Sequence, residues 1–223
     1  MRENLRVRNS PQAYDRYTSG FVDQYDRAMI ARFRELYRLS GSRPGLVLDI
    51  GTGTARLPAR MAAFEEFATL RFIGTEYFLD MAALARTTVY DVGLRDRVQI
   101  VVQDVHQMGF RAHEIDYIIS RSTVHHWAEP VKALAEIHRV LKPGGFALIH
   151  EPRRDPKPEA LAYFNRIREL AQVGPTTLEE KYTAMELRGF LKQAGLESYS
   201  RINEPSVGLL AVGVEMKIWK ADK

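Results

Sequence analysis

The stretch that decides the fold is LVLDIGTGTARLP, which runs from Leu46 to Pro58. It starts as a short apolar run, which is typical of a buried strand, and then passes through Gly51 and Gly53, which allow a tight turn. The apolar spacing beyond the turn indicates a helix, and Pro58 stands where the first turn of a helix tolerates proline. Strand, glycine turn and helix in this order predict a nucleoside-bearing ligand at the carboxyl edge of a parallel sheet.

The glycine turn does not match two better-known nucleotide loops. A dinucleotide loop has a small third residue in G-x-G-x-x-G, and this chain has Arg56 there. A phosphate loop continues with Lys-Ser or Lys-Thr, and neither pair follows. Asp49, just before the turn, favours a ligand that carries a cationic group. The pair of glycines can also serve the turn alone, and that interpretation stays open.

Further apolar runs predict more strands, and helix-like segments separate them. Alternating strands and helices favour parallel pairing with right-handed crossovers. Residues 212–218 alternate in polarity and predict a last, half-exposed strand. The segment LKPGG from Leu141 to Gly145 is typical of a helix stop. The other predicted strands are 69–74, 98–102, 116–119 and 146–149.

The domain plan predicted from these elements has three parts. Residues 1–40 are expected to form an N-terminal arm and a helical cap. The helix over Pro11 to Leu39 is expected to pack its tyrosines against the sheet, and the alternative is that an early tyrosine closes over the ligand. Residues 41–223 are expected to form the main domain. Within it, residues 155–182 predict an inserted helix with flexible flanks, of the kind that forms lids and substrate pockets. A capping box at Thr183 and Glu186 predicts the start of the next helix.

Composition excludes several functions. The 223 residues include no cysteine, which rules out disulfides, thiolate metal sites and thiol catalysis and fits a reducing compartment. No run approaches the ~20 apolar residues of a membrane span, and the first residues do not resemble a secretory signal, so a cytoplasmic protein is expected. The net charge of +4 is mild and spread along the chain, which makes nucleic acid an unlikely partner.

Acidic side chains follow the first three predicted strands. Asp49 lies before the glycine turn, Glu76 closes the second strand and Asp104 closes the third. A carboxylate accepts hydrogen bonds only, so it suits an ammonium group, a ribose diol or an exocyclic amine. Three acids at neighbouring strand ends therefore predict one shared ligand site.

Five motifs resemble a known family. LVLDIGTGTA, GTEYFLDM and VVQDVHQMGF, at residues 46–55, 74–81 and 101–110, resemble the cofactor motifs of class I S-adenosylmethionine-dependent methyltransferases. SRSTVHHW at 120–127, with LKPGG, is similar to the subgroup around ubiquinone and menaquinone methylation. The resemblance implies a doubly wound α/β fold with a mostly parallel, seven-stranded sheet. It departs mildly at Ala55 and at Thr52, where other members often have Cys, Ser or Ala.

The resemblance also implies S-adenosylmethionine as the cofactor and a role for each matching residue. Asp49 orients the loop and helps to receive the ammonium, Glu76 binds the ribose diol, and Asp104 with the Val105 N–H meets the adenine. Tyr77 lies beside the adenine, and backbone after strand four meets the methionine end. The implied cofactor residues are Asp49, Gly51, Thr52, Gly53, Glu76, Tyr77, Met81, Asp104, Val105, Ser120 and Arg121.

The reaction implied is an in-line displacement of a methyl group from a sulfonium, in which alignment supplies up to ~7–11 kcal/mol. A base is needed when the acceptor is protonated, and the candidates are His125, His126 and Glu151. The two histidines can instead simply pack and cap their loop. No histidine has the spacing of a known metal motif, so no metal is expected.

The acceptor is only broadly defined by the sequence. The Asn/Asp-Pro-Pro-Tyr motif of base methylation and the paired glutamates of arginine methylation are both missing after strand four. A small molecule or a peptide is expected, methylated on oxygen or nitrogen, with carbon also open. Arg121, Arg153 and Arg154 suggest a positive rim for an anionic substrate, or else solvated surface. A non-catalytic S-adenosylmethionine-binding partner or regulator is the alternative, and Arg56 disfavours a dehydrogenase.

Overall fold

The computed structural model describes residues 11–170 and 175–221, with side chains from residue 23 onward. The helices are α1 (Pro11–Leu39), α2 (Arg56–Ala62), α3 (Leu79–Asp91), α4 (Pro130–Val140), α5 (Pro158–Leu170) and α6 (Ala184–Gln193). The strands are β1 (Gly45–Ile50), β2 (Leu70–Glu76), β3 (Val98–Val102), β4 (Ile115–Arg121), β5 (Leu141–Pro152), β6 (Ser200–Asn203) and β7 (Gly213–Trp219).

The strands form one seven-stranded sheet in the order β3-β2-β1-β4-β5-β7-β6. The first five strands are parallel, and only β7 runs antiparallel to its neighbours β5 and β6. The predicted doubly wound, mostly parallel sheet is therefore confirmed. Strand order reverses between β1 and β4, and an open α/β sheet binds its ligands at the carboxyl edge beside such a reversal.

Alternate residues of each central strand serve two separate apolar layers, because successive side chains point to opposite faces. Val47 and Ile119 pack with residues of α1, α2, α3 and α5, whereas Leu48 and Ile118 pack with α4 and α6. Both faces of the sheet are thus covered by helices, which explains why these strands read as nearly continuous apolar runs.

Helix α1 has the bounds that its sequence predicts, and its apolar face is part of the core. Tyr25, Phe33 and Tyr37 are 1–3% exposed, so these tyrosines pack as expected. The side chains of Tyr14 and Tyr17 lie outside the described residues. The Tyr25 hydroxyl also donates a hydrogen bond to Nδ1 of buried His150 on β5.

The helix stop predicted at LKPGG is confirmed, whereas two features of the sheet differ from expectation. Helix α4 ends at Val140, directly before LKPGG, and β5 starts at once, with a register shift against β4 that spans these residues. The last strand is not half-exposed, because it lies inside the sheet between β5 and β6, and even Glu215 is buried there. The short strand Ser200–Asn203 has no counterpart among the predicted runs.

The segment predicted as an insertion contains helix α5, which buries Phe164 against the α1 layer. The capping box before α6 is confirmed: Glu186 N donates to Thr183 Oγ1 over 3.1 Å, and Thr183 N donates to the Glu186 carboxylate over 2.7 Å. Within the two described ranges, no helix combines the length and the apolar character that crossing a membrane requires.

Candidate functional site

The glycine turn is held by both of its neighbouring strands. Gly51 and Gly53 have φ angles of 68° and 58°, which L side chains rarely adopt. A Cβ on Gly51 would lie 2.5 Å from Thr123 Cγ2, so the turn approaches the loop after β4 without room for a side chain. Gly53 N donates to Glu76 Oε2 over 3.0 Å, which ties the turn to the end of β2.

Asp49 is buried beneath this turn. Its Oδ2 accepts a hydrogen bond from Thr52 Oγ1 over 2.7 Å, and Thr52 N donates to Thr75 O over 2.9 Å. Burial raises the pKa of Asp49 to about 7, although the Thr52 hydrogen bond and the charge of Arg121 oppose the shift. A buried carboxyl with this pKa becomes more readily ionised when a cationic group comes beside it.

Glu76 is positioned by backbone N–H groups at the end of β2. Its Oε1 accepts from Tyr77 N at 2.9 Å, in addition to the Gly53 bond at Oε2. Burial raises its pKa, and these backbone bonds oppose that shift. Two carboxylate oxygens have about four acceptor positions, so the carboxylate can accept further hydroxyl donors. Tyr77 is half-exposed beside it, while Met81 is buried in the first turn of α3.

Asp104 lies two residues beyond the end of β3, in a turn closed by Gln107 N donating to Asp104 O. Its Oδ1 accepts from His106 N at 2.9 Å and from His106 Nδ1 at 2.5 Å. Burial acts to raise the pKa of Asp104, but the His106 bonds outweigh it and lower the pKa. The carboxylate is about half-exposed and therefore faces solvent ready for a donor, with Val105 partly buried next to it.

The loop after β4 contacts the glycine turn directly. Ser120 is fully buried, and its Oγ donates to Ile50 O over 2.9 Å and lies 2.5 Å from Thr123 Oγ1. Arg121 Nη2 lies 3.2 Å from Asp26 Oδ1. Asp26 on α1 is a buried carboxylate that the sequence analysis missed, because its helix was expected to contribute packing only.

His125 and Glu151 come together as their strand ends predicted, and both are buried. Glu151 Oε2 accepts from Val124 N over 3.0 Å, and Oε1 is hydrogen-bonded to His125 Nδ1. The other imidazole nitrogen, Nε2, lies 2.8 Å from Lys181 Nζ. Burial acts to raise the pKa of Glu151, but the charges of His125 and Lys181 and these hydrogen bonds lower it overall.

Lys181 was not among the predicted site residues. It belongs to the segment expected to form a lid, and nothing in its local pattern distinguishes it from a surface lysine. His126 packs its ring 3.9 Å from that of His125, measured between centroids. Although part of His126 is exposed, surrounding atoms desolvate its imidazole, and with the charges of His125 and Lys181 they lower its pKa to about 3.

The positive rim suggested by three arginines is not found. Each guanidinium lies against one or two carboxylates, which compensate its charge. The pairs are Arg121 with Asp26, Arg153 with Asp155 and Glu204, and Arg154 with Glu186.

A cleft of about 210 Å³ lies elsewhere, between the start of α5 and residues 204–213. None of the predicted cofactor or catalytic residues lines it, and Arg153, the one residue of the suggested rim that does, is already paired. Among the described residues, no three His, Asp or Glu side chains are grouped as a metal site requires.

The residues at the carboxyl edge fit an S-adenosylmethionine molecule. Asp49, Glu76 and Asp104 come from the ends of three adjacent strands, with Gly74 of β2 paired to both Asp49 and Ile100. Gly51 in the turn beside them is exposed, and the side where a Cβ would stand is occupied by Thr123. Carboxylates suit the ammonium, the ribose diol and the exocyclic amine of this cofactor, because each of these groups donates hydrogen bonds.

Comparison with known proteins supports the same conclusion. A family model described as a methyltransferase domain matches residues 48–149. The chain is 31% identical over 190 residues to the ubiquinone/menaquinone biosynthesis C-methyltransferase UbiE of Bordetella parapertussis, covering 78% of this chain and 72% of that protein. It is 26% identical over 162 residues to a demethylmenaquinone methyltransferase of Bacteroides fragilis, covering 71% of this chain and 64% of that protein. The match thus spans just under two thirds of the Bacteroides protein.

Solved structures share the fold. A candidate S-adenosyl-L-methionine-dependent methyltransferase from Methanococcus maripaludis superposes with a TM-score of 0.70 at 23% identity, over 96% of this chain and 93% of that one. A methyltransferase from Aquifex aeolicus gives a TM-score of 0.61 at 20% identity, over 83% and 87%. The chain therefore belongs to the class I S-adenosylmethionine-dependent methyltransferases, and within that family it resembles the proteins named for ubiquinone and menaquinone methylation.

Proposed function

We propose that this protein transfers a methyl group from S-adenosylmethionine to a small-molecule acceptor. The observation that carries the proposal is the set of acids at three adjacent strand ends beside the glycine turn, at the reversal of strand order. When bound, the cofactor supplies a methyl group on a positively charged sulfur, which is a good leaving group. The protein then has mainly to align the acceptor and to exclude water.

The cofactor contacts follow from the chemistry of each side chain. Asp49 receives the ammonium group, since its raised pKa falls when a cation is near. Glu76 accepts hydrogen bonds from the ribose hydroxyls. Its carboxylate has acceptor positions for them in addition to those that the backbone N–H groups of Gly53 and Tyr77 occupy. Asp104 and the Val105 N–H meet the adenine edge.

The contacts of the methionine end are backbone contacts. The glycine turn from Gly51 to Gly53, including Thr52, and backbone at Ser120 and Arg121 line this end. Tyr77, just before α3, and Met81, in its first turn, flank the adenine.

A small molecule is the acceptor that the relatives favour. The Bordetella protein is named as a C-methyltransferase of quinone biosynthesis, and the Bacteroides protein as a demethylmenaquinone methyltransferase. For this chain we propose only that the acceptor is a small molecule, which receives the methyl group on carbon, oxygen or nitrogen. A peptide acceptor is the second choice. Residues 155–182 act as a lid over that acceptor, and residues 11–40 act as a helical cap. The arm predicted for residues 1–10 lies outside the described residues. The cytoplasm is the expected location.

His125, His126 and Glu151 form the proton-handling part of the site. Glu151 fixes the orientation of the His125 ring, because its ionised carboxylate accepts a hydrogen bond from Nδ1–H. We expect His125→Ala and His126→Ala each to lower turnover, within the range of about 10²–10⁴-fold that acid–base groups contribute. Cofactor affinity should stay the same, since neither residue is among the proposed contacts; unchanged rates in both variants would remove the idea.

Calorimetry with S-adenosylmethionine, S-adenosylhomocysteine and NAD tests the proposal. Binding of the first two, followed by label transfer from methyl-labelled cofactor in an acceptor screen, is the expected result. Binding without transfer to any acceptor would favour a non-catalytic partner or regulator. Binding of NAD alone would refute the proposal.

A further inference from the structure

The imidazole of His106 is hydrogen-bonded at both of its nitrogens, and His106 is not among the cofactor contacts proposed above. Nδ1 lies 2.5 Å from Asp104 Oδ1, and Nε2 lies 3.1 Å from Glu129 N. The His106 side chain is 13% exposed, much less than the 46% of the Asp104 side chain beside it. A ring with two bonds and little exposure has one defined position, so His106 can fix the group that it contacts.

The partner of Nε2 determines which ring nitrogen carries the hydrogen. A backbone N–H only donates, so Nε2 of His106 accepts the bond from Glu129 N. A protonated imidazole has no acceptor, and this bond therefore requires the neutral form. In that form the hydrogen is on Nδ1, which donates it to the Asp104 carboxylate.

The bond to Glu129 attaches the ring to a well-packed helix. Glu129 directly precedes α4, and its own side chain makes no hydrogen bond that caps the helix. Three residues of α4 are fully buried in the core, namely Ala133, Leu134 and Ile137. His106 thus joins the turn after β3 to a helix that is anchored in the core, across 23 residues of chain.

His106 occupies one oxygen of the Asp104 carboxylate and leaves the other. Oδ1 accepts from His106 N over 2.9 Å as well as from the ring, and each carboxylate oxygen has about two acceptor positions. Among the groups that the structure describes in residues 11–170 and 175–221, none donates a hydrogen bond to Oδ2. Oδ2 is therefore the oxygen that remains for a ligand.

We propose that His106 is a positioning residue that strengthens the preference of the cofactor site for a purine with an exocyclic amine. The inference rests on the proposed function, in which Asp104 meets the adenine edge. Because two N–H groups of His106 hold Oδ1, Asp104 presents Oδ2 as a fixed acceptor for that amine. A carboxylate held by the backbone N–H alone rotates more freely, and the freedom that it loses on binding weakens the contact.

The same contacts keep Asp104 ionised. Burial acts to raise the pKa of Asp104, but the hydrogen bonds from His106 and the charge of Lys132 on α4 outweigh it and lower the pKa. An ionised carboxylate only accepts, so it binds an amine and disfavours a carbonyl oxygen in the same place. The fixed carboxylate therefore discriminates between purines by the group that they carry at this position.

The test compares, by calorimetry, S-adenosylhomocysteine with its analogue whose purine carries hydrogen in place of the amino group. The unaltered protein should bind the amino compound about ten- to a hundredfold more tightly, since the analogue lacks a hydrogen bond to a charged group. His106→Asn keeps a donor near the position of Nδ1 and should keep this ratio. His106→Gln keeps an acceptor near the position of Nε2 but lacks the donor, so the ratio should fall about three- to tenfold.

Gln107→Ala is the matched control, because Gln107 is exposed in the same turn and contributes its backbone N–H to it; the ratio should stay that of the unaltered protein. A variant that only loosens the turn weakens both compounds alike, so an undiminished ratio in His106→Gln overturns the proposal, as do equal ratios in His106→Asn and His106→Gln. His106→Ala lacks both ring bonds and should lower the ratio to the same extent, which gives the same test should the glutamine variant not fold.

The unaltered protein distinguishes this inference from the proposed function. Absence of S-adenosylhomocysteine binding refutes the proposed function itself. Equal binding of the two compounds instead leaves a cofactor site without a contact to the amine, and it refutes the positioning role of His106 alone.

Discussion

Replacing Gly51 by alanine should damage the cofactor turn through two separable costs. An alanine held at a φ of 68° loses about 1–2 kcal/mol of stability from backbone strain alone. Its Cβ would also lie 2.5 Å from Thr123 Cγ2 and 3.3 Å from Thr123 Cβ. Thr123 cannot simply rotate away, because its hydroxyl lies 2.5 Å from Ser120 Oγ in a buried contact. Overpacking of this kind costs about 1–3 kcal/mol, so we expect a total loss of about 2–5 kcal/mol.

Two further variants separate these costs in urea unfolding. Gly93 has a φ of 71°, and a Cβ there would meet nothing within 4 Å, so Gly93→Ala measures the backbone cost alone. Thr123→Ser deletes the obstructing methyl group and keeps the hydroxyl. The loss of stability caused by Gly51→Ala should therefore be about 1–3 kcal/mol smaller in the Thr123→Ser background than in the unaltered protein. Calorimetry should show a parallel fall and recovery of S-adenosylhomocysteine affinity. Equal losses in Gly51→Ala and Gly93→Ala, with no recovery from Thr123→Ser, would refute the packing argument.

Three other substitutions test the remaining contacts. Burial raises the folded-state pKa of Asp49 to about 7. Between about pH 4 and 7, Asp49 is therefore protonated in the folded protein but ionised in the unfolded chain. The free energy of unfolding should fall by up to about 1.4 kcal/mol for each pH unit over this range. Asp49→Asn should remove that slope in the ligand-free protein and weaken S-adenosylhomocysteine about ten- to a hundredfold; an unchanged slope in urea unfolding contradicts the assignment. Glu76→Gln should weaken the same ligand about tenfold by calorimetry, with undiminished affinity as the contrary outcome. Thr183→Ala should cost about 1 kcal/mol of stability in urea without altering that affinity, since it removes only a helix cap.

The strands and the acids at their ends could be predicted because both are local. Glu76 is the last residue of β2 and Asp104 stands two residues beyond β3, so the position of each strand also gives the position of its acid. Parallel pairing then brings the ends to one edge of the sheet without further information. The same reasoning predicted His125 and Glu151 near one another, since His125 follows β4 and Glu151 lies at the end of the adjacent strand β5.

Lys181 and Asp26 could not be predicted, because their roles depend on contacts between distant segments. Lys181 meets His125 across 56 residues of chain, through a connection whose path no local pattern gives. Asp26 lies on a helix whose apolar spacing gave the packing face but not the contact with Arg121. Their carboxylate and amine are ordinary in sequence and become distinctive only through burial.

The prediction of the last strand failed for a related reason. Alternating polarity favours a strand with one solvent-exposed face, but Glu215 is buried. Its burial is tolerated because Arg32 donates hydrogen bonds to both of its carboxylate oxygens, at 2.7 and 2.8 Å. Its Oε1 also accepts a hydrogen bond from Asn203 Nδ2, on the short neighbouring strand, over 2.9 Å. Because Arg32 compensates its charge, Glu215 occupies an interior position although it gives the sequence a pattern typical of a surface strand.

The hydrogen bond between Tyr25 and His150 has a practical consequence for anyone shortening the chain. His150 Nε2 donates to Leu210 O over 2.8 Å, so one imidazole connects the first helix, a central strand and the bend before the last strand. Deleting the first helix would expose the apolar residues of β4 and β5 that its aromatic side chains cover. It would also leave Nδ1 of His150 without its hydrogen-bond partner in apolar surroundings. A version trimmed to begin at residue 41 should therefore aggregate on expression, however complete its cofactor motifs are.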